Sequence, residues 1–380
     1  MITRRLASTI TTPPSDKTPR KIVLVGAGFV GSYIAKALVA DPRNRVLLVS
    51  RNPQKLHSQL SHLGSQILPP KSADITLSSS SDTDNLKEAL KDASAVVSMV
   101  GLLVGSESKM DKVQRQGTEN ISNLAKSLGV KRFVGISAIG ADEGGVTAYW
   151  RSKALGEKAI LENHPTATII RPSIIFGPGD SFFNRFATLA KWLPFLPVFG
   201  GGVSRFQPVY AGDIARAVEI CCRDEPEVVR QVGGKIIEAG GPEIYTYREI
   251  MQLVLRYSGY EGRRAIISLP FWVGKIQGFF LEKLPENLFT VTRDQVEQLR
   301  SDNIVSPSPP LFSLPFKDLL KAFPSSLPSS SLPNNSSGLK SVEDILPTYL
   351  GSQEGRQEGK RTHGRSREQG LDEIRRLSKK

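Results

Sequence analysis

The sequence predicts an α/β fold built on a doubly wound parallel sheet, and three observations carry that prediction. Five short runs, "KIVLVG", "RVLLVS", "SAVVSMV", "RFVGIS" and "ATIIRP", are apolar along nearly their whole length. Strands patterned in this way are buried on both faces, as in a parallel sheet with helices on either side. Helical segments lie between them: "VGSYIAKALVA", "DNLKEALKD", "QGTENISNLAKSLG" and "YWRSKALGEKAILEN". Strand and helix in alternation give βαβ units. The first run also ends in a G-x-G-x-x-G turn, at Gly26, Gly28 and Gly31, that opens the first helix. This makes the sheet Rossmann-type. After Pro172 the alternation loosens into Gly- and Pro-rich loops with amphipathic helices, read as a small C-terminal substrate-side lobe.

Composition bounds what such a chain does. At 380 residues, 39% hydrophobic and 23% charged, it is long enough to bury a substantial core. A net charge of +13 fits nucleic acid, an anionic membrane or a mitochondrial matrix setting. No basic helix with interleaved aromatics and no nucleic-acid module is recognisable, so nucleic acid is set aside. Cys221 and Cys222 are adjacent inside "DIARAVEICCRDEP" and read as small apolar residues on a packed helix, in a reducing compartment. The four histidines are scattered and give no metal cluster.

Taken in order, residues 1–19 come first. "MITRRLASTITTPPSDKTPR" is basic, rich in Ser and Thr, and sets Ile2, Leu6 and Ile10 on one helical face, the composition of a mitochondrial transit peptide. The glycine turn then prepares a dinucleotide site. Gly26 allows the tight turn, Gly28 lets the backbone approach a pyrophosphate, and Gly31 lets helix pack on strand, while Phe29 and Val30 begin a helix whose free N–H groups face the phosphates. At the end of the second strand an NAD-specific site carries Asp or Glu for the ribose 2′-hydroxyl, and Ser50-Arg51-Asn52 has neither. Arg51, helped by Lys55, suits a 2′-phosphate, so NADP(H) is favoured, with NAD(H) as the alternative. Asp74 after the third strand is placed to meet the adenine or to cap its own turn. Val100-Gly101, at the end of the fourth, lets the backbone pass close to the cofactor.

The fifth strand ends at Ser137, and the helix after it opens with "AYWRSK", setting Tyr149 and Lys153 four residues apart on one face. Lys153 beneath Tyr149 is expected to lower the phenol's pKa and to reach the nicotinamide ribose. Such a phenol is a general acid/base for carbonyl reduction or alcohol oxidation, with Ser137 orienting the substrate oxygen.

These residues together resemble the short-chain dehydrogenase/reductase superfamily in its extended or atypical branch. "RPSIIFGPGD" at 171–180 and "QPVYAGDIARAV" at 207–218 look like that branch's loop after the sixth strand and the helix that follows. The resemblance adds Arg171 and Pro172 to the cofactor-binding set. More specifically, "ISAIGAD", "AYWRSKALGEKAI", "RPSIIFGPGDSFFNRFA", "RFQPVYAGDIA" and "TRDQVEQLRSDNIV" are similar to the family of the nucleotide-binding accessory subunit of respiratory complex I, which includes bacterial relatives and a relative in coenzyme Q synthesis. The similarity runs from Arg20 to Val305. It implies a Rossmann fold with bound NADPH, structural in the complex I members. The chain departs from them in keeping Tyr149 and Lys153, and offers the single hydroxyl of Ser137 before Ala138 where active extended enzymes offer more.

The resemblance therefore implies a mitochondrial NAD(P)H-binding protein of ubiquinone-linked respiration, on the matrix side of the inner membrane, as a structural subunit or assembly factor of complex I. The alternatives are a factor in coenzyme Q biosynthesis, with that synthesis complex as partner, and an independent NADP-dependent oxidoreductase using Tyr149 and Lys153. The expected organisation is a nucleotide-binding core at 20–171, its C-terminal lobe at 172–305, a flexible Pro/Ser linker at 306–340, a docking segment at 341–350 and a charged disordered tail at 351–380. Residues 266–289 are the most apolar stretch. Lys275, Glu282 and Lys283 interrupt it, so it is read as an amphipathic helix that packs on its own lobe or makes peripheral contact with the inner membrane through Phe271, Trp272, Phe279 and Phe280.

Overall fold

The structure is a computed structural model that describes residues 18–281, 291–308, 312–323 and 338–350. The expected import signal, apart from its last two residues, and the expected charged tail lie outside these.

The first half follows the predicted alternation: β1 (Arg20–Val25), α1 (Phe29–Leu38), β2 (Asn44–Ser50), α2 (Gln54–Leu60), β3 (Lys71–Ser72), α3 (Ser80–Leu90) and β4 (Ala95–Ser98). Then come α4 (Glu107–Met110), a π-helical turn (Asp111–Gln116), α5 (Gly117–Ser127), β5 (Arg132–Ile136), α6 (Ala148–Asn163) and β6 (Thr168–Pro172). The second half brings short ladders and helices: β7 (Ile175–Phe176), α7 (Phe182–Trp192), β8 (Phe195–Phe199), β9 (Arg205–Phe206), β10 (Val209–Tyr210), α8 (Ala211–Cys221), α9 (Pro226–Val232) and β11 (Ile236–Ala239). It closes with β12 (Tyr245–Thr246), α10 (Tyr247–Tyr257), β13 (Ala265–Leu269), α11 (Phe271–Leu281), α12 (Arg293–Gln298), α13 (Phe316–Ala322) and α14 (Val342–Tyr349).

A seven-stranded parallel sheet in the order β11-β6-β5-β4-β1-β2-β3 organises the molecule. Because successive side chains of a strand point to opposite faces, β1 feeds two cores at once. Ile22 and Leu24 join α1 and α8 on one face, and Val23 and Val25 join α3 and α5 on the other, all four fully buried. This is why the strand reads as an unbroken apolar run. At the amino ends of the central strands Arg20 and Arg132, at the starts of β1 and β5, donate to the carbonyls of Cys222 and Cys221 at the end of α8. They satisfy carbonyls that a helix C-terminus leaves open, and their charge suits the negative end of its dipole.

A third core lies in the C-terminal lobe, where α7, α10 and α14 pack with β8 around Phe183, Leu196, Met251 and Leu346. Three expectations need correction. The lobe is not one continuous stretch from 172, because α8 and α9 return to cover α1 and β11 adds the last strand to the sheet. The Pro/Ser stretch is not linker throughout, since Phe316, Leu319 and Leu320 of α13 are buried against α8. Composition dominated that reading and hid the amphipathic "FKDLLKAF" within it. Residues 266–289 do not form one helix: the stretch opens in β13, turns at Pro270 and continues as α11, and its end at 282–289 lies outside the described residues.

Candidate functional site

The sheet's switch point lies where β1 neighbours β4 on one side and β2 on the other, and ligands of such sheets sit beyond the carboxyl ends of these strands. Gly26 takes a left-handed φ of +77°, and a Cβ there would stand 3.3 Å from the backbone of Met99 and Val100. Gly31 is closed from the other side, since its Cβ would meet that of Ala27 at 2.8 Å. Gly28 by contrast faces open space. It precedes α1, an end that no side chain caps. Half-buried Phe29 and Val30 begin the helix, so its first N–H groups are free to face an anion. The turn thus fits a dinucleotide pyrophosphate.

Arg51 follows β2 on an exposed loop that Ser72 Oγ steadies by donating to the Arg51 carbonyl at 2.8 Å. Among the described residues its guanidinium has no ion pair or hydrogen bond, and Lys55 in the first turn of α2 is likewise exposed. Asp74 caps its own turn: Oδ1 accepts from Thr76 N at 2.9 Å, while Asp74 N donates to Asp82 Oδ1.

The other half of the site lies at the ends of β4 and β5. Lys153 reaches inward from α6 and donates to the carbonyls of Val100 at 2.8 Å and Ile136 at 3.2 Å. Gly101 lies close beside it: a Cβ there would stand 3.3 Å from Lys153 Nζ, a tight approach. Ser137 is buried, with its N–H on Ile170 O and its Oγ unpaired among the described residues. Ser98 Oγ and Gln114 Oε1 are likewise buried without partners among them, and all three residues, with Lys153 and Glu157, line a cavity of about 20 Å³, room for about one water. Burial lowers the Lys153 ammonium to about 8, against the raising effect of Glu157.

Tyr149 stands half-buried in the first turn of α6. Thr147 caps that helix by accepting from Trp150 N, and Asp294 of α12 accepts from Ala148 N at 2.9 Å. Burial, then the Asp294 charge, pushes the phenol up to about 12. The expected lowering by Lys153 is therefore corrected: the lysine's ammonium is engaged by two carbonyls, and the nearby charge that acts on the tyrosine is negative. The Arg171 guanidinium makes a two-pronged, largely buried pair with Glu157, at 2.9 and 2.7 Å, tying β6 to α6. Pro172 ends β6, its carbonyl taking the N–H of Ile139.

Sequence reasoning missed Glu157, Gln114 and Asp294. Glu157 had a signal, being four residues beyond Lys153 on the same helical face. Gln114 had none, because a π-helical turn places it. Asp294 comes from 146 residues away in sequence.

Comparison with known proteins agrees with this geometry. Residues 26–179 match the family model described as NAD(P)H-binding, which supports a nicotinamide cofactor. The mitochondrial NADH dehydrogenase [ubiquinone] 1 alpha subcomplex subunit 9 of Arabidopsis thaliana is 28% identical over 80% of this chain and 75% of its own length. A ceramide reductase of Caulobacter vibrioides is 28% identical over 66% of this chain and 73% of its own. Among solved structures, the dTDP-glucose 4,6-dehydratase DesIV of Streptomyces venezuelae superposes with a TM-score of 0.55 at 20% identity, over 66% of this chain and 84% of that one, and shares the fold. The chain is thus similar to the complex I subunit 9 proteins over most of its length.

Proposed function

We propose that this chain is a mitochondrial nicotinamide-nucleotide-binding accessory subunit or assembly factor of complex I, held on the matrix side of the inner membrane, in which the cofactor serves the fold. The observation that carries this reading is the state of the acid/base pair. Tyr149 is held as a neutral phenol by burial and Asp294, and Lys153 is committed to Val100 O and Ile136 O. A poised general acid/base has a pKa near the working pH, and a phenol near 12 is far from it. The similarity to subunit 9 over four-fifths of the chain supports the same reading.

Within the site, Gly26, Gly28 and the start of α1 would hold the pyrophosphate, Arg51 and Lys55 the ribose 2′-phosphate, and Lys153 the nicotinamide ribose. The bound group would supply hydride chemistry if the site were catalytic. NADPH is the preferred nucleotide, on two supports: no acid stands at 50–52, and the Arg51 guanidinium is unengaged among the described residues.

A second reading, an NADP-dependent reductase, rests on the retention of Ser137, Tyr149 and Lys153 and on the similarity to a ceramide reductase. Tyr149→Phe separates the two. In the accessory role it keeps nucleotide binding and restores a deletion strain fully. In the reductase role loss of the phenolic proton costs about 10²–10⁴ in rate, and restoration fails.

A further inference from the structure

Helix α11 is turned inside out relative to an ordinary surface helix. Trp272, Ile276 and Phe279 recur at helical spacing on one stripe, 63%, 52% and 43% exposed. The buried positions are glycines. A Cβ at Gly274 would stand 2.6 Å from the Phe199 ring, and one at Gly278 2.7 Å from Arg293 N. Gly274 and Gly278 therefore face the protein, with half-buried Phe271 packed on Gly200, while Trp272, Ile276 and Phe279 face outward. A helix that packed only on its own lobe would show the reverse, and a contiguous exposed apolar stripe marks a surface that something covers.

The charge around the stripe identifies the cover. The guanidinium of Arg293 lies 5.5 Å from the Phe279 ring and that of Arg300 4.7 Å from the Phe271 ring, and both arginines are exposed. Lys275, on α11 itself, is 45% exposed at its side chain. Of the described acids on α12, Glu297 lies between Lys275 and Arg300, at 2.8 and 3.4 Å, and Asp294 faces inward to Ala148 N. Residues 271–279 contain no carboxylate. An exposed tryptophan and aliphatic stripe rimmed by cations is complementary to the headgroup boundary of an anionic bilayer. Among the described residues no helix is long and apolar enough to cross a membrane, so α11 would lie on its surface.

We propose that α11 docks on an anionic lipid surface, with Trp272, Ile276 and Phe279 entering the headgroup boundary and Lys275 and Arg300 meeting lipid phosphates. The proposal deepens the reading above, whose membrane location it uses, and it fails separately from the complex I assignment.

Flotation of the full-length protein with phosphatidylcholine vesicles, with and without a cardiolipin fraction, tests it, with nucleotide binding followed in parallel as the measure of folding. The expected result is flotation with the cardiolipin vesicles, lost in the double variant Trp272→Ser, Ile276→Ser while nucleotide binding persists. Phe312→Ser, which removes a ring 74% exposed beside β11, should float as the unmodified protein does. Absence of flotation of the unmodified protein, or equal flotation of the double variant, overturns the proposal. Unmodified protein that ignores vesicles, with a double variant that leaves complex I on native gels, overturns it in favour of a protein groove. Flotation without complex I in native gels would instead spare the lipid surface and remove the assembly assignment.

Discussion

On the proposed reading Gly28 and Arg51 would hold opposite ends of the nucleotide, and the sequence pointed to both because each assignment depends on residue type at a fixed spacing from a strand. Arg51 leads to a direct test. Arg51→Asp removes a cation from the 2′-phosphate and adds repulsion, so the preference for NADPH should fall by about ten-fold or more and NADH binding should be little changed. Calorimetry with both nucleotides measures this, and equal affinity in the unmodified protein would refute the preference. Tyr149 shows where spacing misleads. Its distance from Lys153 in sequence said nothing of Asp294, which decides the phenol's charge environment. Removing that carboxylate favours the phenolate, so Asp294→Asn should bring the tyrosine titration down from about 12 towards the ordinary phenol range, followed by ultraviolet difference spectra. Lys153 gives the opposite pH signature. The unfolded chain holds this proton to about 10.5 and the folded chain releases it near 8, so the unfolded state binds more protons between those values. Nucleotide-free protein should therefore gain stability as pH rises through that window, by a few kcal/mol at most, and Lys153→Met should flatten the gain in denaturant titrations.

Among the elements, legibility followed length and patterning. The central strands were plain because burial on both faces writes a continuous apolar run, as in Ile22 to Val25. The ladders β7–β10 and β9–β12 were not, because strands of two residues leave no period to read. α13 was hidden by the serines and prolines around it, and α11 by an apolar composition that did not say which face was outward. α14 shows how much a short element contributes once packed. Ser341 and Asp344 form its capping box, Tyr349 Oη donates to the buried Asp180 carboxylate, and Leu346 is fully buried in the lobe's core. Asp180 in turn accepts from the N–H groups of Gly177 and Phe183, in a loop whose Pro178 carbonyl accepts from Tyr33 Oη on α1. Leu346→Ala should cost about 2–5 kcal/mol in equilibrium unfolding, as for other buried leucines. A cost below 1 kcal/mol would mean that α14 is only loosely docked.

At the scale of the whole molecule, two hydrogen bonds link the nucleotide turn to the C-terminal lobe. The loop at Gly177–Asp180 meets α1 through Tyr33 and α14 through Tyr349, so an anion bound at the start of α1 should also steady the lobe. A ligand that binds only the folded state stabilises it by mass action, about 2.7 kcal/mol when its concentration is a hundred times its dissociation constant. Nucleotide removal should therefore lower the melting temperature of the whole chain in a single transition, lobe included, rather than loosen the Rossmann half alone. For an accessory subunit this has a consequence in the cell. A chain unable to hold nucleotide, such as Gly28→Asp, whose carboxylate would stand where the pyrophosphate belongs, should accumulate poorly and reduce the complex I band on native gels of mitochondrial membranes. Tyr149→Phe should leave that band intact. If Gly28→Asp abolishes binding in calorimetry while complex I forms at its usual level, the cofactor does not serve assembly, and the reductase reading becomes the better account of why the site is kept.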